Sequence, residues 1–256
     1  MRVSRIVIFP IKSLDGVAVQ RAQLTPGGIL QHDRTYAILD HDGKYVNGKR
    51  TARIHELRCE YDEAFREVRL WENGYTRAAQ FCLDEPDPIG VWLSGFFGYP
   101  VRLAHEARSG FPDDTEAFGP TIVSGASLRA VQRWYPGLRL ASVRRRFRAN
   151  LELAGARAFE EDRLYGAPGE RKPFTIGAVS FLGHNPCQRC VVPTRDPETG
   201  EVVAQFQKAF MRLREETLPR WANRARFNHF YRFAVNTSVP PSEAGKTLTV
   251  GDPVTL

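Results

Sequence analysis

Cys190 closes the segment Asn185-Pro-Cys-Gln-Arg-Cys190 and leads into Val-Val-Pro-Thr-Arg-Asp196-Pro-Glu-Thr-Gly200. A cysteine beside an arginine in turn-rich sequence is placed to ionise, and a thiolate either binds a metal or attacks an electrophile. The spacing Cys187-x-x-Cys190 admits three chemistries. It can be half of a zinc site, which needs two further ligands, yet Cys59 and Cys82 stand alone and no second Cys-x-x-Cys is present. It can be a dithiol redox pair, although the Val-Val-Pro193 that follows does not begin a helix as such motifs do. It can be one metal-ligating cysteine with a bystander three positions earlier. The motif alone does not separate the three.

A second set of residues is basic or polar and sits at strand ends. Lys12-Ser13 follows an apolar segment, Arg34 follows Asp33 just before another, and Arg148 and Asn150 flank Ala149 at the start of a third. Taken singly each is an ordinary surface residue. Taken together they can wrap a phosphorylated ligand, because arginine offers phosphate a bidentate fork and lysine a point charge. Asp196-Pro-Glu-Thr-Gly200 reads as a turn rather than a general base, with Asp196 able to accept a hydrogen bond that fixes the cysteine loop. Glu160-Glu-Asp162 and Asp113-Asp-Thr-Glu116 read as solvated loop charges. The histidines show no metal-like pairing, and there is no Walker A or dinucleotide glycine motif.

The elements that would position these residues are mostly strands. Short apolar segments at Ile6–Phe9, Ala22–Leu24, Thr35–Leu39, Leu57–Tyr61, Val68–Leu70 and Gln80–Leu83 alternate with Gly, Asn and Asp turns, as in a small barrel or sandwich. Pro86-Asp-Pro88 breaks the pattern, and Ile89–Phe97 reads as a short amphipathic helix. Thr121–Val123 fits a strand, and Ser124 is an N-cap candidate for the helix that follows. Asn150–Ala154 and Phe174–Phe181 fit strands, Val203–Leu213 a helix, and Arg232–Thr237, Leu248–Val250 and Val254–Leu256 strands again.

The chain has 256 residues, enough for one large domain or two modest ones. Its longest apolar runs fall well short of the roughly 18–20 residues of a membrane helix. The N-terminus passes almost directly into a strand-like segment, without the apolar region of a secretory signal. Four cysteines are too few for a disulfide scaffold, so a reducing cytoplasm is expected. The net charge of +7 fits a solvated basic surface or an anionic ligand. Arg144-Arg-Arg-Phe-Arg148 is the densest cluster, but no nucleic-acid-binding pattern accompanies it, and nucleic acid is not expected.

In order along the chain, Phe9-Pro-Ile-Lys-Ser13, Asp33-Arg34, Thr51-Ala-Arg53, Arg146-Phe-Arg-Ala-Asn150, Cys187-x-Arg-Cys190 with Asp196-Pro-x-Thr-Gly200, and Val250-Gly-Asp-Pro253 resemble the MOSC proteins. More narrowly they resemble the subgroup with an N-terminal MOSC β-barrel domain, which includes the mitochondrial amidoxime-reducing component. The resemblance implies a mainly β, α+β chain with an N-terminal MOSC β-barrel-like domain over residues 1–95 and a MOSC domain over 96–256. It implies a molybdenum cofactor, a pterin dithiolene with a phosphate tail, with Cys190 as the protein's metal ligand and Cys187 as the bystander. Lys12, Ser13, Arg34, Arg148 and Asn150 fall on cofactor-contacting positions, and Gln188 and Arg189 on the two before the ligand. Where the family carries an Asp-Thr-Ser-Pro-like stretch, this chain has Ala117-Phe-Gly-Pro120, leaving Gly119 to offer its backbone N–H. The implied activity is reduction of small N-hydroxylated compounds. No iron–sulfur cluster is expected, since the cysteine spacings do not suit one. Electrons would come from a separate ferredoxin, flavoprotein or cytochrome. The rival implication is a sulfur-transfer or cofactor-carrier module with a persulfide on Cys190.

Overall fold

A computed structural model describes all 256 residues. The first part of the chain runs β1 (Arg2–Ile8), β2 (Val17–Val19), β3 (Arg21–Gln23), β4 (Tyr36–Asp40), β5 (Leu57–Tyr61), β6 (Glu67–Glu72), β7 (Ala79–Cys82), α1 (Pro86–Phe97) and β8 (Val101–His105). The rest runs β9 (Ile122–Ser124), α2 (Gly125–Trp134), α3 (Leu140–Phe147), β10 (Leu151–Ala154), β11 (Lys172–Ile176), β12 (Val179–Gln188), α4 (Phe206–Glu216), β13 (Arg232–Ser238), β14 (Thr247–Thr249) and β15 (Val254–Thr255). It is a mainly β chain with four α-helices. One eight-stranded sheet has the order β15-β11-β12-β13-β9-β10-β1-β2, and its pairs are antiparallel except β9 with β10. Smaller sheets pair β14 with β3, β4 with β8, and β5 with β6 and β7.

Apolar residues collect into three cores. The largest lies under the big sheet and unites Val3, Ile6 and Ile8 of β1 with Ile122, Leu151, Phe181 and Val235. A second, from Ile11 to Leu103, packs α1 against β4, β8 and the three-stranded sheet. A third is aromatic and fastens α2, α3 and α4 through Phe147, Phe159, Phe206, Phe210 and Phe233. Residues on the two sides of the 95/96 division thus share a core, because β1 pairs with β10 in the register Ile6↔Leu151. The chain passes between the first two cores four times, at Ile8–Ile11, Leu14–Ala22, Leu30–Tyr36 and between Leu103 and Ile122.

Several local expectations change in physical detail. Pro86 begins α1 instead of breaking the chain, since the first turn of a helix needs no N–H from it. Ser124 caps α2, its Oγ accepting from the Ser127 N–H at 3.0 Å. Phe174–Phe181 is not one strand but the hairpin β11–β12, turned at Gly177 with φ of 55°. The basic cluster Arg144–Arg146 lies on α3, a helix unforeseen in the sequence, whose Val143 and Phe147 lie one turn apart on its buried face. Cys187 is not in a turn: β12 runs through it to Gln188, with Pro186 accommodated at a register shift against β13. Glu161 and Asp162 are not solvated, at 1% and 4% exposure. No helix is long and apolar enough to cross a membrane.

Candidate functional site

The four crossings between cores border one cavity of about 660 Å³. Lys12 and Ser13 follow the first crossing, Asp15 and Gly16 lie on the second, Arg34 on the third, and Asp113 and Gly119 on the fourth. The far wall brings Arg148, Cys187, Gln188, Arg189 and Cys190. Of the residues singled out in the sequence, Asn150 and Asp196 are absent from the lining and stand behind it.

The backbone at this cavity is unusual. Ser13, Arg34 and Arg148 have φ of 75°, 53° and 50°. A non-glycine residue in the left-handed region costs of order 1–3 kcal/mol and is held there only by its surroundings; such residues gather at ligand sites. Arg148 is the left-handed C-cap of α3, its N–H donating to the Arg144 carbonyl at 2.9 Å. Its Nη1 donates to the Leu14 carbonyl at 2.6 Å, while its Nη2 is shut off from solvent with no partner. Burial first, then the neighbouring Arg34 charge, push the Arg148 guanidinium down to about 10.

Arg34 and Arg148 share the ring of Phe9, at 5.0 and 4.2 Å from its centroid. Arg34 donates to the Asp33 carboxylate and, at 3.2 Å, to Asn150 Oδ1. Asp33 also accepts from the Phe9 N–H at 2.9 Å. Asn150, 1% exposed, accepts from the Thr121 N–H and donates to the Val7 carbonyl. Its amide is therefore a joint that orients Arg34 instead of facing a ligand. Lys12, 5% exposed, donates to the Phe111 carbonyl at 2.8 Å and to Asp113 Oδ1 at 2.7 Å. Burial lowers its pKa, and the Asp113 charge works against that lowering.

The cysteine loop is anchored from below. Arg146, 3% exposed, donates to the carbonyls of Pro193 and Arg195 and to Asp196 Oδ2 at 3.3 Å. Asp196 Oδ1 in turn accepts the N–H groups of Glu198 and Thr199, closing the turn after the loop. Arg189, expected to activate Cys190, directs Nη1 at Cys187 Sγ, 2.9 Å away, and Nη2 at the Phe147 carbonyl. Cys59 and Cys82 are not in the lining, and no cluster of His, Cys, Asp and Glu is arranged to hold a metal. Gly119 does not offer its N–H: it donates to the Thr237 carbonyl at 2.8 Å. A side chain there would begin 2.8 Å from Thr237 Oγ1, so the glycine serves a close backbone approach.

The Arg144–Arg148 cluster is not a free basic stripe. Arg144 holds Glu152 through two bonds of 2.7 and 2.8 Å, Arg145 holds Glu198 and Asp15, Arg146 is buried and Arg148 faces the cavity. Sequence reasoning missed several lining residues, among them Lys49, His55, Asn185, Arg232 and Asn236. His55 Nε2 is buried without a partner, and burial and then the Arg195, Arg148 and Arg145 charges push the imidazole down to about 4. Only the Thr51-Ala-Arg53 motif nearby hinted at that wall.

Comparison with known proteins gives two matches to family models: MOSC N-terminal beta barrel domain over residues 1–81 and MOSC domain over residues 117–255. The chain is 25% identical to molybdenum cofactor sulfurase of Homo sapiens, over 83% of this chain and 28% of that protein. It is 24% identical to mitochondrial amidoxime reducing component 2 of Bos taurus, over 98% of this chain and 82% of that protein. The chain thus spans under a third of the length of the sulfurases it matches and most of the length of the reducing component.

Proposed function

Because the chain belongs to the MOSC family, with a MOSC N-terminal beta barrel domain ahead of its MOSC domain, we propose that it is a reductase of small N-hydroxylated compounds that carries the molybdenum cofactor in this cavity. The observation that carries the reading is the shared lining: the Cys190 thiol, three left-handed residues, and a buried arginine nitrogen with nothing to bind. These residues suit the group. A soft thiolate is the right donor for such a metal, and Lys12, Arg34 and Arg148 suit its phosphate. When bound, the cofactor supplies two-electron chemistry at a metal ion for which Cys190 is the protein ligand.

The chain's own residues hold and orient. Arg148 offers its unpartnered Nη2 to a phosphate oxygen, and Arg34 is aimed by Asp33 and Asn150. Arg146 and Asp196 fix the loop that carries Cys190. Converting an N–OH group to N–H with release of water takes two electrons and two protons; a separate electron-transfer protein provides the electrons. We expect protein made in a host that synthesises the cofactor to contain about one molybdenum per chain, with the absorbance of a bound pterin. Cys190→Ser should lose the metal and the activity. Cys187→Ser, which keeps an acceptor for Arg189, should retain most of both. Absence of metal and pterin from the wild type would sink the reading, and equal loss in the two variants would point to a dithiol.

Similarity to the sulfurases favours a second reading, in which Cys190 carries a persulfide. Cyanide-releasable sulfur on Cys190, without turnover of N-hydroxylated compounds, would select it.

A further inference from the structure

The Lys12 ammonium lies in the cavity wall and is already satisfied by a carboxylate from elsewhere in the chain. Its partner Asp113 sits on the crossing between Leu103 and Ile122, 2.7 Å away; the lysine side chain is 6% exposed and the aspartate 68%. A buried ammonium needs a counter-charge, but that charge need not come from one fixed source. The segment is tied on both sides of Asp113. The Phe111 N–H donates to the Arg34 carbonyl at 2.8 Å, and Asn236 Nδ2 donates to Asp114 Oδ2 at 3.2 Å. The exposed Asp113 side chain can therefore turn outward while the backbone stays in place.

The charges facing this end of the cavity make such a movement meaningful. Lys12, Lys49, Arg34 and Arg148 face Asp33 and Asp113 there; of the other nearby carboxylates, Asp15 is committed to Arg58 and Arg145 and Asp114 accepts from Asn236. Asp33 is fixed by the Phe9 N–H and Arg34. With Asp113 in place the four cations face two carboxylates. With it withdrawn they face one, and the unit of positive charge set free favours a phosphate oxyanion in its place.

We propose that Asp113 is an exchangeable counter-ion: its carboxylate holds Lys12 until a phosphate group on the ligand takes its place and turns it out to solvent. The inference rests on the reading of the cavity as a phosphate site. Its test is calorimetric titration of inorganic phosphate into the full chain made in a host that cannot synthesise the cofactor. The variants are Asp113→Asn, Asp113→Glu, Lys12→Gln and the double variant Asp113→Asn with Lys12→Gln. Asp113→Asn should bind phosphate about tenfold tighter than wild type, while Asp113→Glu, which keeps the charge, should bind as wild type does. In the Lys12→Gln background the gain should disappear, because exchange acts through Lys12. A gain of the same size with and without Lys12 would reduce Asp113 to a general repulsive charge and overturn the proposal. Equal binding by wild type and Asp113→Asn would overturn it while leaving the phosphate site standing. Binding by none of the variants would remove the phosphate site and the proposal together.

Discussion

Arg148→Met is expected to make the protein more stable and less able to bind. The Arg148 guanidinium is charged in folded and unfolded chains alike at pH 7, yet burial and Arg34 bring its folded pKa from 12.5 to about 10. At about 1.36 kcal/mol per pKa unit, that is a destabilisation of up to about 3 kcal/mol. Because both states are protonated below about pH 9, it is the same across the neutral range; it shrinks only as pH rises above the folded value. Against its removal stand the bond to the Leu14 carbonyl, worth about 1 kcal/mol, and the contact with the Phe9 ring, worth about 0.5–1 kcal/mol. The left-handed backbone strain is common to Arg and Met and cancels. The balance is a gain of about 1–2 kcal/mol, which moves a urea midpoint upward by on the order of 0.5 M. Urea unfolding at pH 6, 7.5 and 9 should show the same gain at each pH, and phosphate titration should show lost binding. A midpoint unchanged or lowered, with an unchanged slope, would refute the argument that this arginine is held for binding at the expense of stability.

Glu161 should make stability depend on pH. Burial, and then Asp162 beside it, push its carboxyl up to about 7 from 4.5, although Ser127 donates to it at 2.9 Å. A raised carboxyl pKa means that stability is full below about pH 4.5 and is lost as pH rises through about 7, by up to about 3 kcal/mol. Glu161→Gln should therefore match wild type in urea at pH 5 and exceed it at pH 8.5; parallel curves would remove Glu161 as the cause. Gly183→Ala should destabilise severely, by about 3 kcal/mol or more, because its added carbon would lie 1.8 Å from the Leu164 carbonyl oxygen. Near-wild-type melting of that variant would mean that the Leu164 segment yields easily.

The architecture was legible where side chains repeat with a period, and the site where chemistry is written in residue type. Alternating apolar segments marked most of the strands, and Ser124 announced α2. Lys12, Ser13, Arg34, Arg148 and the cysteine segment were conspicuous as types and do meet at one cavity. What the sequence hid is mostly conformation. Nothing in Ser13, Arg34 or Arg148 announces a left-handed backbone, as a glycine would. Asn150 was conspicuous as an amide, but its role as a joint depends on the Thr121 and Val7 backbone groups brought to it by β1 and β10. Arg189 stands next to Cys190 in sequence, yet its guanidinium reaches back to Cys187 near the end of β12. Charge runs say little about where their side chains go. Arg144, Arg145 and Arg146 lie on a helix and have partners within the chain, and Glu161 and Asp162 are buried beside Ser127 and Arg214.

The pairing of β1 with β10 has a consequence for the nascent chain. Ile6 leaves the ribosome long before its partner Leu151. At roughly 5–20 residues per second, β1 waits on the order of ten seconds or more for the strand that covers it. Through that interval Val3, Ile6 and Ile8, all buried in the finished fold, are displayed on an unpaired edge, the kind of segment chaperones hold and aggregates recruit. The Phe9–Leu14 segment is tethered to that waiting strand, so the Lys12 end of the cavity cannot be completed during early synthesis. A ligand of this cavity therefore meets a complete site only after β10 has been made.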